Sequence, residues 1–155
     1  MTGNGKTVSA IPIAKLIMNL RQVSVDYSKY VLLFCCNLQS VKFQVAQWFY
    51  NANIPFGIAI VDKDNGLFVR NNQNCKSDDK RVAIITSPEA ALEIMTNEPK
   101  KEYIMFLDEP TIGADMMTSA ARMNVRLMTH LPKISILSSA TLPHDIYSWL
   151  KDNHT

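Results

Sequence analysis

No stretch of this 155-residue chain approaches the run of about 18 apolar residues that a membrane-crossing helix needs, and its first residues lack the charged-then-apolar pattern of a secretory signal. The expectation is a soluble, intracellular protein with no membrane partner. Cysteine is scarce: Cys35 and Cys36 sit side by side in an apolar run and Cys75 lies in a polar one, which gives neither an even disulfide set nor metal-ligand spacing. The first two read as small buried hydrophobes. His130, His144 and His154 are scattered at the ends of expected elements and attract no chemistry. Surplus charge is missing as well. Sixteen basic residues against fourteen acidic ones leave +2, too little to argue for or against nucleic acid, because a basic groove can coexist with a near-neutral total. Neither an internal repeat nor a linker interrupts the chain, and an apolar content of 47% is enough for the single core of one domain.

What is present is organised around Tyr103-Ile104-Met105-Phe106-Leu107-Asp108-Glu109-Pro110-Thr111. An unalternating apolar run predicts a short strand buried on both faces, as in the middle of a parallel sheet, and two carboxylates follow at its carboxyl end. Ligands of open α/β sheets bind at that edge. Asp108 and Glu109, being adjacent, project differently, so one can hold Mg²⁺ while the other polarises an attacking water. Near the start lies Gly3-Asn4-Gly5-Lys6-Thr7, whose last three residues match the end of a phosphate-binding loop: glycines turn backbone N–H groups toward phosphates, a lysine reaches the β and γ phosphates, and a hydroxyl ligates Mg²⁺. The full pattern carries an earlier glycine, at a position that would precede Met1.

Between these sets the chain alternates. Ile13, Leu16, Ile17 and Leu20 repeat at helical spacing, with Pro12 expected to kink that helix near its first turns. Tyr30–Cys36 reads as a strand. Leu38, Val41, Val45, Trp48, Phe49 and Ala52 mark one face of a second helix, and Phe56–Val61 reads as the next strand. Residues 62–80 are polar, with Leu67-Phe68-Val69 suggesting a small hairpin or a loop. Arg81–Thr86 returns to strand, and Ser87 and Pro88 fit the N-cap and first position of a short helix through Met95. Met116, Ala120, Met123 and Leu127 line a further helix, Ile134–Leu137 is the last strand, and Ile146, Trp149 and Leu150 belong to a terminal helix. This order predicts an α/β fold: a mostly parallel sheet with helices on both faces and every polar set at the carboxyl edge.

The polar sets together resemble the first RecA-like domain of superfamily 2 helicases, the group that holds the DEAD-box and related DExx enzymes. Gly5-Lys6-Thr7 is similar to motif I, Asp108-Glu109-Pro110-Thr111 to motif II, and Ser139-Ala140-Thr141 to motif III, in that order and over essentially the whole chain. The resemblance implies a P-loop nucleotide hydrolase that takes ATP and Mg²⁺. Gly3, Asn4, Gly5, Lys6 and Thr7 would hold the nucleotide, Thr7 and Asp108 the metal, and Glu109 would position the hydrolytic water. Ser139, Ala140 and Thr141 would couple nucleotide state to nucleic acid. Asn37–Gln44 stands where the family has Pro-Thr-Arg-Glu-Leu, and Thr86–Glu89 where it has Ala-Thr-Pro-Gly. Neither carries the family's arginine, so only Gln44, Ser87 and Pro88 are carried over as nucleic-acid contacts. The implied partners are single- or double-stranded RNA or DNA and a second RecA-like domain. The implied sheet would lack the strand before the phosphate loop, so the chain is expected to be an incomplete helicase, inactive in isolation.

Leu107–Asp115 also resembles the Walker B and D-loop of ABC-type ATPases, although Glu93–Lys101, where their signature would stand, contains no glycine. A non-catalytic interaction module on the same sheet is the third alternative.

Overall fold

The computed structural model describes residues 10–107 and the backbone of 108 and 134–138. Within them lie α1 (Ala10–Val23), β1 (Tyr30–Cys35), α2 (Gln39–Asn51), β2 (Phe56–Asp62), β3 (Gly66–Asn71), β4 (Ala83–Thr86), α3 (Pro88–Asn97), β5 (Glu102–Asp108) and β6 (Ile134–Ser138), with short 3-10 turns at Val25–Lys29 and Asp78–Lys80. The strands form one sheet in the order β3-β2-β4-β1-β5-β6. All neighbours run parallel except β3, which closes a hairpin antiparallel to β2. The fold is α/β with a mostly parallel sheet flanked by helices, as the alternation of elements predicts.

Side chains sort by parity, because successive residues of a strand point to opposite faces. Leu32 and Phe34 of β1, Ala83 and Ile85 of β4, Phe56 of β2 and Phe106 of β5 join Ala10, Ala14 and Ile17 of α1 and Val45 and Phe49 of α2 in one core. Val31, Leu33 and Cys35, Ile84, and Tyr103, Met105 and Leu107 pack with Ala91 and Ile94 of α3 in the other. Parallel strands buried on both faces need continuous apolar sequence, and this is why β1, β4 and β5 carry it. The first core is aromatic: Phe34 stacks on its in-register neighbour Phe106 at 5.1 Å and 11°, and Phe49 meets Phe34 edge-on at 6.4 Å and Phe56 at 5.7 Å.

Helix α1 departs from the expected face. Ala10, Ala14 and Ile17 are buried and Leu16 is 55% exposed. At 100° per residue Leu16 lies about 130° from the centre of the arc made by positions 10, 14, 17 and 21, so small alanines, not leucine, let this helix approach the sheet. Pro12 does not interrupt the helix. It falls in the first turn, where a missing N–H leaves no bond unmade. Leu38 is likewise exposed, as the residue before α2 and not part of its packed face.

The end of α2 is closed by Asn53 at φ 59°, with the Ile54 N–H on the Phe49 carbonyl (2.9 Å) and the Asn53 N–H on the Tyr50 carbonyl (3.1 Å). This is the Schellman arrangement, completed by burial of both Ile54 and Phe49. The polar segment after β3 is bonded, not merely solvated. Arg21 reaches from α1 to donate to the Tyr30 carbonyl (2.8 Å) and the Asp79 carbonyl (3.1 Å), and Arg81 bonds Asn71 (2.7 Å) and Asp78 (3.1 Å). Cys75 is buried there, its thiol on the Ser77 carbonyl at 3.2 Å.

Candidate functional site

The carboxyl edge of the sheet is built by register. Leu107 of β5, Cys35 of β1 and Thr86 of β4 form one row across three strands, and Asp108 pairs with Ser138 of β6 one step further on. Each of these strands therefore stops at the same level, and the chain leaving β1 and β4 enters the edge at Asn37 and Ser87. Pairing of β1 and β4 extends one residue past the strand through the Cys36 N–H on the Thr86 carbonyl (3.0 Å).

Asp108 thus ends a central strand, flanked by β1 and β6. Ser87 begins α3: its hydroxyl accepts the Ala90 N–H (3.2 Å), and its carbonyl accepts the Thr86 hydroxyl (2.9 Å) and the Ala91 N–H (2.9 Å). Pro88 is the first residue of that helix and is buried. The N-cap and first-turn roles read from the sequence hold, and they occupy the Ser87 hydroxyl and the Pro88 ring in positioning α3. Gln44 lies in the second turn of α2 and is exposed. The sheet brings Asp108, Ser87 and Pro88 to one edge, with Gln44 near the start of the helix that leaves it. Gly3, Asn4, Gly5, Lys6, Thr7, Glu109, Ser139, Ala140 and Thr141 lie outside the described residues, as do the three histidines.

Two cysteines occupy the same edge. Burial, with a smaller contribution from the neighbouring Cys36, pushes the Cys35 thiol well above the ordinary thiol range, and Lys42 of α2 opposes the shift only weakly. Cys35 is an inert core residue, as its place in an apolar run predicts. Lys42 is the cation that the sequence reading did not single out: it stands in the first turn of α2, close enough to Cys35 to act on it. Its signal was a lone base in a helix without acidic residues.

Among the described residues no group of three or more His, Cys, Asp or Glu side chains is placed to hold a metal, and no helix is long and apolar enough to cross a membrane. Comparison of the chain with protein-family models, with curated proteins and with solved structures finds no match.

Proposed function

We propose that the chain is the ATP-binding, RecA-like domain of a nucleic-acid-dependent superfamily 2 helicase. The observation that carries this reading is the register pair Asp108 and Ser138. Neighbouring strands are about 4.8 Å apart, so Asp108, which opens the Asp-Glu set, and Ser138, which precedes the Ser-Ala-Thr set, lie side by side in the sheet. A helicase needs that adjacency, since the group that responds to the γ-phosphate must lie within reach of the segment that reports it to the nucleic-acid surface. The carboxyl edge of a central parallel strand is also where nucleotides bind in open α/β sheets.

In this reading Gly3 to Thr7 bind the nucleotide phosphates, with the Lys6 ammonium toward the β and γ groups. Thr7 and Asp108 supply hard oxygen donors of the kind that Mg²⁺ accepts, and the ion when bound would offset phosphate charge. Glu109 orients the water that attacks the γ-phosphate.

A fluorescent ATP analogue titrated into the purified chain tests the proposal. Lys6→Ala removes a charge-assisted contact and should weaken binding by about tenfold or more. Glu109→Gln should leave binding in place while removing any turnover. Equal affinities of wild type and Lys6→Ala would remove the nucleotide site and favour a non-catalytic module. Turnover that ignores single-stranded RNA and DNA but requires dimerisation would favour the ABC-type reading.

A further inference from the structure

The sheet ends at β3, which among the described strands pairs with β2 alone. The Asn72 N–H bonds the Phe56 carbonyl (2.9 Å), so Phe56 and Asn72 form a hydrogen-bonded pair and the phase of the ladder is fixed. Phe68 and Arg70 turn their backbone groups toward β2, and Leu67, Val69 and Asn71 turn theirs away from it. The Arg70 carbonyl, close beside Gly57, agrees with that phase. Three N–H and three C=O groups therefore face outward along a strand that contains no proline. The strand is held at both ends. Asp62 fastens the turn by accepting the Asp64 N–H and the Asn65 amide (both 3.0 Å), and the Asn71 side chain is tied to Asp78 and Arg81 (both 2.7 Å).

Side chains decide what can pair there. Sheet edges are guarded against stray strands by charge, bulges or proline, and the only guard on β3 is the charge of Arg70. Arg70 is exposed and makes no ion pair or side-chain hydrogen bond among the described residues; Phe68, on the same face, is 36% exposed and meets no other ring there. Set against its own reverse with Val69 on a twofold axis, the strand places Phe68 opposite Arg70 of a second copy, twice, and Leu67 opposite Asn71. Leu67 with Asn71, Val69 with Val69 and Asn71 with Leu67 all use the outward groups, so three pairs of two bonds give six hydrogen bonds. An axis at Phe68 or Arg70 keeps two such pairs in place of three, and the axis at Arg70 also sets two guanidinium groups face to face.

We infer that β3 is a self-pairing edge: two copies of this chain join β3 to β3, antiparallel about a twofold axis at Val69, into one continuous sheet. The Arg70 guanidinium then lies across the Phe68 ring of the other copy, an attraction of cation to π-face that a wholly apolar strand would not supply. An in-register parallel pairing would set Arg70 beside Arg70 and replace that attraction with repulsion. On the opposite face, Leu67 and Val69 of both copies continue as one apolar row, which extends the wall of the cleft they line with Ile84 and Ile94. A twofold contact is closed, so association through this edge stops at two copies. In the strand order β3 stands four spacings from β5, about 19 Å at about 4.8 Å each, so the pairing leaves the edge at Asp108 free.

Sedimentation velocity of the full chain from micromolar to millimolar concentration tests the edge, and a monomer–dimer equilibrium is expected. Phe68→Lys sets an ammonium opposite Arg70 at two places and should weaken the dimer by about tenfold or more. Phe68→Glu removes the same ring but offers Arg70 a carboxylate, so its dimer should persist at low salt and dissociate as salt rises. Val69→Cys places two thiols on the axis with Cα atoms about 5.5 Å apart, within disulfide range, so mild oxidation should link the copies. Leu67→Cys should not link them, because its two thiols stand four residues apart along the strands, about 14 Å. The native cysteines Cys35, Cys36 and Cys75 are buried and should not compete. The inference is overturned if the chain is monomeric throughout, if Phe68→Lys and Phe68→Glu dissociate alike, or if Leu67→Cys links as readily as Val69→Cys.

Discussion

The two faces of the sheet are made by alternate residues of the same strands, yet among the described residues they are packed differently. On one side four phenylalanines interlock beneath two helices of 14 and 13 residues. On the other, mostly aliphatic side chains and the single ring of Tyr103 lie under α3, a helix of 10 residues, and a cleft of about 120 Å³ opens between Leu67, Val69, Ile84 and Ile94. Burial of a ring removes more apolar surface than burial of a valine or isoleucine, and stacked rings add to it, so the aromatic face should hold most of the stability.

The sharpest way to break that contrast is to remove a ring. Phe34 touches both Phe106 and Phe49, so Phe34→Ala should destabilise the domain by about 3–5 kcal/mol, measured by urea unfolding. Ile94→Ala, beside the cleft and already 6% exposed, should fall at the low end of the about 2–5 kcal/mol typical of such truncations. Equal costs would mean that the two faces hold the fold equally.

Gly57 probes the joint between the sheet and its antiparallel hairpin. A Cβ at this position would stand 2.5 Å from Cγ1 of Val69, 2.9 Å from Cδ of Arg81 and 3.1 Å from the Arg70 carbonyl oxygen. The side chains can turn aside, but the carbonyl belongs to the β3 backbone and moves only with the strand. Gly57→Ala should cost about 1–3 kcal/mol, the range for overpacking. A cost near zero would show that β3 shifts freely and that the hairpin is loosely joined.

Tyr103 anchors the face under α3 through a polar contact. Its hydroxyl donates to the Glu98 carbonyl (2.9 Å), and burial, followed by the charge of Glu98, pushes its pKa up to about 12 from an ordinary value of 10. A raised phenol pKa means that the native state keeps its proton where the unfolded chain has lost it. The stabilisation is therefore complete below pH 10 and is lost as the pH climbs from 10 to 12. Tyr103→Phe should cost about 1 kcal/mol at neutral pH and flatten that alkaline decline. An unchanged alkaline profile would remove Tyr103 as its source.

Much of this architecture was legible because strands buried on both faces write themselves as unbroken apolar runs: β1, β4 and β5 each stand where such a run stands. The carboxyl edge was legible for the same reason, since Asp108 immediately follows one such run and Thr86 and Ser87 follow another. Contacts distant in sequence were not. Arg21 meets the Asp79 carbonyl across 58 residues, and nothing local in either segment announces the bond. Cys75 sits among polar residues and is buried because the loop folds around it. Leu16 fooled the helical pattern because Ala10 and Ala14, which carry little hydrophobic signal, are the residues that pack. Net charge concealed an uneven distribution, because all the acids but Asp26 follow residue 61.

The smallest effect concerns the end of α2, beside the aromatic core. Asn53 holds a left-handed conformation at φ 59°, which costs a side-chain-bearing residue about 1–2 kcal/mol, less for asparagine than for most. It is retained because the turn satisfies two helix carbonyls and seats Ile54 against Phe49. Asn53→Gly keeps the turn and removes the strain, and so should raise stability by a few tenths to about 1 kcal/mol, while Asn53→Ala should lower it by about 1 kcal/mol. If Asn53 were there only to close the helix, glycine would serve better. An Asn53→Gly variant less stable than wild type in urea unfolding would show that the asparagine side chain itself helps to hold the turn.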